Sequence, residues 1–412
     1  MKKEIIKYLI GRFIPAIVVV AVVILAIRFL GPVEYGKYSL LLYTALLTIT
    51  LSFHWVQVSI LRFMGGLPRE SGEMTSRFFD LTLFSALFST IIVILAGTLY
   101  FHLSLQELVM VSLFAFLNHF YLFHQAILQA YHRSVRMAIL EGVEHLLIII
   151  VLISGLFFFH WRSSLLLFGS LAAGLGGALI IRTIIREKGL LMVDLTHLYW
   201  DSRFSGKVIG FGYGVALWLF FSHLLMSADR FIIMEHLGYR DAGMYSALKD
   251  LLYKGVTFAI LPIYISYQAK ICDQWNAKHN DEAWKTIKEA LSFEMLILIL
   301  VFIIFMVGKQ MLFNDLLKIP DMDSWLVYLP LLISAFLWQA GLLIQRFLEL
   351  TFKYGYILIA MGLTVLLNIL LNLIFVPRYG LIASSLSLLV TTVFYSGFLL
   401  VVAMIVEKKI EL

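Results

Sequence analysis

The chain is poor in the residues that anchor soluble enzymes. Its one cysteine, Cys272, excludes an intrachain disulfide in 412 residues and leaves the redox compartment unreadable. Charged residues make up 14%, against about 25% in a soluble domain. Its 11 histidines are scattered, and no H-E-x-x-H or paired-cysteine spacing marks a metal site. No GxxxxGK[ST] loop is present, which excludes ATP hydrolysis by that route. The glycine-rich run Ala172–Ala178 lies inside an apolar stretch, where small residues suit close helix packing rather than a dinucleotide. No cofactor and no metal are expected. Proline is scarce, 7 in all, and Pro15, Pro262 and Pro330 fall inside apolar stretches as candidate bends.

What is abundant is apolar surface. Hydrophobic residues reach 61%, above the about 45–50% of soluble domains, and one soluble core cannot hide the excess. A membrane-spanning helix needs about 20 mostly apolar residues. On that basis the sequence predicts twelve spans: 8–30, 38–63, 77–102, 106–131, 136–159, 163–185, 205–227, 242–267, 291–312, 324–347, 354–376 and 380–405. The first apolar run continues to Leu30, too long for a cleaved signal peptide, so it reads as a retained helix. The polar segment 271–290, with Trp275, Trp284 and Ile287, reads as an interfacial helix.

The net charge of +6 does not point to nucleic acid, because most basic residues sit between spans, where they set orientation. With the N-terminus inside, groups such as Lys2, Lys3 and Lys7, Arg133 and Arg136, Arg186 and Lys188, and Lys278, Lys285 and Lys288 face the cytoplasm. Lys37, Arg162, Arg230, Arg240, Lys309, Lys318 and Arg378 face out. The inside excess is more than twofold, which places both termini in the cytoplasm.

A short motif occurs twice, about half a chain apart. Leu30 to Ser39 reads LGxxExGxYS, and Leu237 to Ser246 reads LGxxDxGxYS. Each follows the first span of its half. Six spans per half is an even number, so the repeat is parallel, with lobes at 1–203 and 204–412. The glycines suit tight turns, and the acidic residue suits the start of the next helix.

The motif equates span two with span eight, and both carry polar residues at helical spacing. Span two has Thr44, Thr48, Ser52, Trp55, Ser59 and Arg62 on one face, read as a cavity lining. Span eight has Lys249, Asp250, Tyr253, Lys254 and Thr257. At about 1.5 Å per residue, Lys254 lies roughly 18 Å deep, near the midplane of a core about 30 Å thick. Asp250 can pair with Lys254 four residues on, which leaves Lys249 without a local partner. Arg12 adds a cation in span one. Glu141 and Glu144 in span five are candidates to carry protons or to pair with Arg133 and Arg136. Thr364, Asn368 and Asn372 in span eleven read as helix packing.

Three stretches carry a family resemblance: Gly11-Arg12 with Arg28 to Ser39; Asp229-Arg230-Phe231-Ile232-Ile233 with Gly243 to Ala247; and Pro377 to Ser384. The chain resembles the Wzx-type polysaccharide flippases, relatives of the multidrug and toxin extruders and of the lipid II flippases. The resemblance implies an all-α polytopic membrane protein, with 12 transmembrane helices in two parallel-repeat six-helix lobes around a central cavity lined by spans one, two, seven and eight. It implies a polyprenyl-pyrophosphate-linked oligosaccharide as cargo, moved from the inner to the outer leaflet of the cytoplasmic membrane by alternating access. It also implies drive from a proton or sodium gradient or the membrane potential.

On that reading Arg12, Arg62, Lys249 and Lys254 bind the pyrophosphate. Asp250, Glu141 and Glu144 form an ion-coupling or charge network. Two alternatives stay open: an ion-coupled drug exporter of the same fold, and a membrane glycosyltransferase, polymerase or ligase acting on lipid-linked sugars. The second lacks a large outer loop to hold a catalytic site.

Overall fold

A computed structural model describes residues 2–64, 72–184 and 202–410, with the side chains of 2–14, 16, 265, 269, 280 and 408–410 outside the description. Arg12, Arg186 and Lys188 therefore lie outside the described side chains. Among the described residues every regular element is helical: α1 (Lys2–Phe29), α2 (Pro32–Met64), α3 (Gly72–Leu99), α4 (Leu105–Ala130), α5 (Ser134–Phe157), α6 (Ser164–Ile184), α7 (Ser202–Leu237), α8 (Tyr239–Asn276), α9 (Asn280–Gln310), α10 (Trp325–Leu350) and α11 (Tyr354–Ile410). A short π-helical turn, Met311–Leu316, and a 3-10 turn, Pro320–Met322, follow α9. Inside α11, Gly380 has φ 62°, which breaks the element into two helices. The described helical segments then number twelve, in the order of the expected spans.

Nine of the described helices are long and apolar enough to cross a membrane. Isoleucine, leucine and valine side chains such as Ile91, Leu95, Ile303, Val307 and Leu366 stand exposed along them. In water such a surface would drive aggregation; in lipid it is the contact face. The long α8 is not among the nine, because Arg240, Asp241, Lys249, Asp250 and Lys254 interrupt its apolar run.

Local chemistry sets several helix starts. Before α4, Ser104 and Glu107 form a reciprocal capping box: the Ser104 amide donates to Glu107 at 2.9 Å, and the Glu107 amide donates back to the Ser104 hydroxyl at 3.4 Å. Gly31 and Gly238 hold the same place in the two motif copies and have φ 87° and 89°. That left-handed conformation strains any residue with a Cβ, which explains why glycine stands at both turns. Glu34 and Asp241 sit in the first turns of α2 and α8, where a negative charge favours the helix dipole.

The helices form two compact units. One holds Met1–Val22 and Lys37–His223; the other holds Val23–Gly36 and Leu224–Leu412. Thus α2 leaves one unit for the other after its first turn, and α7 does so at His223. The core of the first unit joins Phe53, Val56 and Ile60 of α2, Phe78 and Leu81 of α3, Phe123 and Ile127 of α4, and Val208 of α7.

Two expectations are corrected. The polar segment 271–290 is not a separate interfacial helix: α8 runs unbroken to Asn276, and α9 starts at Asn280. Its apolar residues find protein instead of the lipid interface, since the rings of Trp275 and Trp284 lie 5.8 and 4.8 Å from that of Phe347. Nor is Arg230 an outer-loop residue, because α7 extends to Leu237 and buries it.

Candidate functional site: a buried charge network on α7 and α8

In the second unit the two motif copies pack backbone against backbone. A Cβ on Gly36 would lie 2.2 Å from the Tyr239 carbonyl oxygen; one on Gly243 would lie 1.8 Å from that of Pro32. Gly36 and Gly243 hold the same motif position, and so do Pro32 and Tyr239. The contact is therefore reciprocal, as around an internal two-fold axis. Glycine at both places lets the helix starts approach to backbone contact.

Just beyond this crossing, α7 and α8 bring together four charges. Lys249 donates to the Asp229 carboxylate at 2.6 Å and to the Met226 carbonyl at 2.9 Å. Arg230 donates to both carboxylate oxygens of Asp250, at 2.7 and 3.2 Å. Tyr245 donates to Asp229 at 2.7 Å, and Tyr35, in the first motif copy, donates to Asp250 at 2.8 Å. Relative exposures are 0% for Asp229, 1% for Arg230, 1% for Lys249 and 7% for Asp250. Each buried charge faces one of opposite sign, so the network is neutral overall, which is what burial demands.

Lys249 is not left without a partner, and Asp250 takes Arg230 as its ion-pair partner rather than Lys254. The local i to i+4 rule was outcompeted by a bidentate guanidinium on the neighbouring helix. Lys254, one turn further along α8, is exposed. Asp229 and Arg230 are the network members that spacing rules missed. Their signal was an Asp-Arg pair at the end of an apolar span, facing a Lys-Asp pair in the next.

From this network a polar seam follows α8 along α10. Tyr253 donates to Ser334 at 2.9 Å, Gln339 to Thr257 at 2.7 Å, and Arg346 to Tyr264 at 3.1 Å. Arg346 also pairs with Glu349. The seam starts at Tyr253, which precedes the exposed Lys254 in the chain.

In the first unit, the polar stripe of α2 is mostly engaged in helix packing rather than lining open space. Thr48 bonds Ser89 at 2.9 Å, Ser52 bonds His119 at 3.1 Å, and Ser59 donates to the Val208 carbonyl at 3.0 Å. Ser52 and Ser59 are buried, and only Arg62, in the last turn, is exposed. Glu141 is buried and accepts from Gln125 of α4 at 2.8 Å; Glu144 lies 3.6 Å from His145. These carboxylates belong to the first unit and the four-charge network to the second. In α11, Asn368 donates to Thr391 across the Gly380 break at 3.2 Å, the packing role expected of that face.

No family model matches the chain, and no curated protein matches it. Solved structures do. An inward-facing MATE-family multidrug resistance transporter of the MOP superfamily superposes with a TM-score of 0.74 at 11% identity, covering 96% of this chain and 95% of that one. A MATE transporter of Vibrio cholerae gives 0.70 at 12%, covering 99% and 97%. The lipid II flippase MurJ, in an inward closed conformation, gives 0.67 at 14%, covering 96% and 87%. The chain has the all-helical fold of these membrane transporters along nearly its whole length.

Proposed function

We propose that this protein is a flippase for a polyprenyl-pyrophosphate-linked oligosaccharide, the unit of an O-antigen or another surface polysaccharide. It carries the cargo from the inner to the outer leaflet of the cytoplasmic membrane by alternating access, with both termini inside. The observation that carries the reading is Lys254, an exposed lysine in the middle of α8, one turn from the neutralised network. A cation so placed is costly without an anion, and a pyrophosphate supplies one. Arg12 and Arg62 serve the same anion from the first lobe, with the lobes at 1–203 and 204–412. Lys249, neutralised by Asp229, holds the site's framework and meets cargo only when that pair opens. Asp250, Glu141 and Glu144 are the acidic groups through which a proton or sodium ion acts. The fold shared with a lipid II flippase supports the cargo class.

A second reading, an ion-coupled drug exporter, draws on the MATE structures. Cationic drugs need unbalanced acid, whereas Asp229 and Asp250 are both ion-paired and the exposed charge one turn further along α8 is Lys254. Transport rather than bond-making chemistry is the activity in both readings.

The test is reconstitution with a fluorescent polyprenyl-pyrophosphate oligosaccharide. The wild type should move it to the opposite leaflet, and Lys254→Ala should insert and fold but fail to move it. Full movement by Lys254→Ala removes the proposed site.

A further inference from the structure

Among the described residues of the second unit, Glu294 of α9 is a buried acid that no other group answers. The buried face of α9 runs through Ala283, Ile287, Ala290 and Glu294, at steps of four, three and four. Three of these positions are apolar, and the fourth is a carboxyl group with 4% exposure. Both of its oxygens are buried, and neither meets a hydrogen-bond partner among the described residues. Met295 and Leu296, which follow it, stand exposed.

The face that holds Glu294 packs on α8 and α10. Three contacts fix an antiparallel register with α8: Thr286 donates to Gln274 at 2.8 Å, Lys270 lies 3.5 Å from Glu289, and the rings of Tyr267 and Phe293 are 6.0 Å apart. That register sets Glu294 level with Ser266, one turn after Pro262. Proline gives the helix no amide hydrogen bond, so α8 is weakest beside the carboxyl group. The charged and titratable groups of the neighbouring elements are engaged elsewhere. On α8, Lys270 takes Glu289, Tyr264 accepts from Arg346, and Asp273 is exposed. On α10, Arg346 pairs with Glu349 and lies by Cys272. On α9 itself, Lys288 lies over Trp284, Lys285 is exposed, and Lys309 pairs with Asp323 at the far end. No charge among the described residues acts on the Glu294 carboxyl group.

An ionised carboxylate in that place would be an isolated anion in apolar surroundings, which is the costly state; the neutral acid avoids the cost and needs only a proton. We propose that Glu294 is a proton-binding site of the second unit, neutral while α9 is packed against α8 and releasing its proton when water reaches the carboxyl group. Water has a short way to come. The exposed Lys270–Glu289 pair is five residues back along α9, about 7.5 Å at 1.5 Å per residue, and the proline-weakened turn of α8 stands at the same level as the acid. The site gives a coupling proton a place outside Asp250, Glu141 and Glu144. Its use in transport rests on the flippase reading; the bound proton does not.

The test is an infrared difference spectrum, wild type minus Glu294→Gln, of the full-length protein in lipid nanodiscs at about pH 7. An exposed glutamate has lost its proton well below that pH. A neutral-acid C=O band in the difference, shifting on transfer to heavy water, therefore reports an exchangeable proton on Glu294. The band should persist in Glu289→Gln. A difference spectrum without the band overturns the proposal, and so does a band that heavy water leaves in place. If Glu294→Gln does not fold, Glu294→Leu, which completes the apolar stripe, supplies the same difference. In proteoliposomes with the fluorescent polyprenyl-pyrophosphate oligosaccharide, an imposed proton gradient should speed cargo movement severalfold in the wild type and leave Glu294→Gln unchanged. A variant that responds as the wild type does overturns the coupling role. A bound proton without cargo movement in the wild type overturns the substrate and leaves the proton site standing.

Discussion

Removing the Asp250 carboxylate should destabilise the protein far more than removing the whole Arg230–Asp250 pair. In Asp250→Leu the side chain keeps its branched shape, but the Arg230 guanidinium, 1% exposed, loses both of its carboxylate bonds. Stripping one partner from a buried pair costs about 3–5 kcal/mol, because the other charge remains in a medium that cannot solvate it. Arg230→Met alone leaves Asp250 with the Tyr35 hydroxyl and the unbonded charge of Lys254 in place of its bidentate partner, and should cost toward the lower end of that range. The double change Arg230→Met with Asp250→Leu removes both charges and keeps apolar volume, and such replacements are often neutral or stabilising by about 1–4 kcal/mol. Even allowing about 2 kcal/mol for imperfect packing and the lost Tyr35 bond, the cycle should show a coupling of at least about 3 kcal/mol. Equilibrium unfolding in mixed micelles, followed by circular dichroism, measures each corner. Additive single effects, with the double variant as weak as their sum, would refute the claim that these two charges exist in the fold to neutralise each other.

Further outcomes follow from the motif copies. Gly243→Ala forces a Cβ to within 1.8 Å of the Pro32 carbonyl, where only backbone can move. It should cost about 1–3 kcal/mol or more and lower the unfolding midpoint, while Gly210→Ala, which meets open space, should not. Gly238→Ala leaves its surroundings free but puts a Cβ on φ 89°, so it should cost about 1–2 kcal/mol by strain alone in the same unfolding assay.

Much of this architecture is legible in the sequence for simple reasons. Long apolar runs mark the helices, because lipid leaves the backbone few other ways to satisfy itself. The paired LGxx turns were readable because left-handed glycines and first-turn acids have local causes, and both recur at Gly31, Glu34, Gly238 and Asp241. The centre of the site was not readable in the same way. A hydropathy window ends span seven at residue 227, just before Asp229 and Arg230, since charges look like a boundary. The helix continues to Leu237 because those charges are cancelled by Lys249 and Asp250, twenty positions away in each pair and beyond any i to i+4 rule. The α2 stripe misled for the complementary reason. Serines and threonines at helical spacing look the same whether they face water or a neighbouring helix, and here Ser52 and Ser59 face His119 and Val208.

The most direct test of the functional account is leaflet movement of one defined lipid. Proteoliposomes carrying a fluorescent polyprenyl-pyrophosphate oligosaccharide on one leaflet report its exposure through a membrane-impermeant quencher, with and without an imposed proton gradient. The account predicts protein-dependent exchange in the wild type, loss in Lys254→Ala, and recovery in Lys254→Arg, which restores the positive charge. Protein-dependent exchange that is indifferent to the charge at position 254, or efflux of cationic drugs with no movement of the lipid, would contradict it.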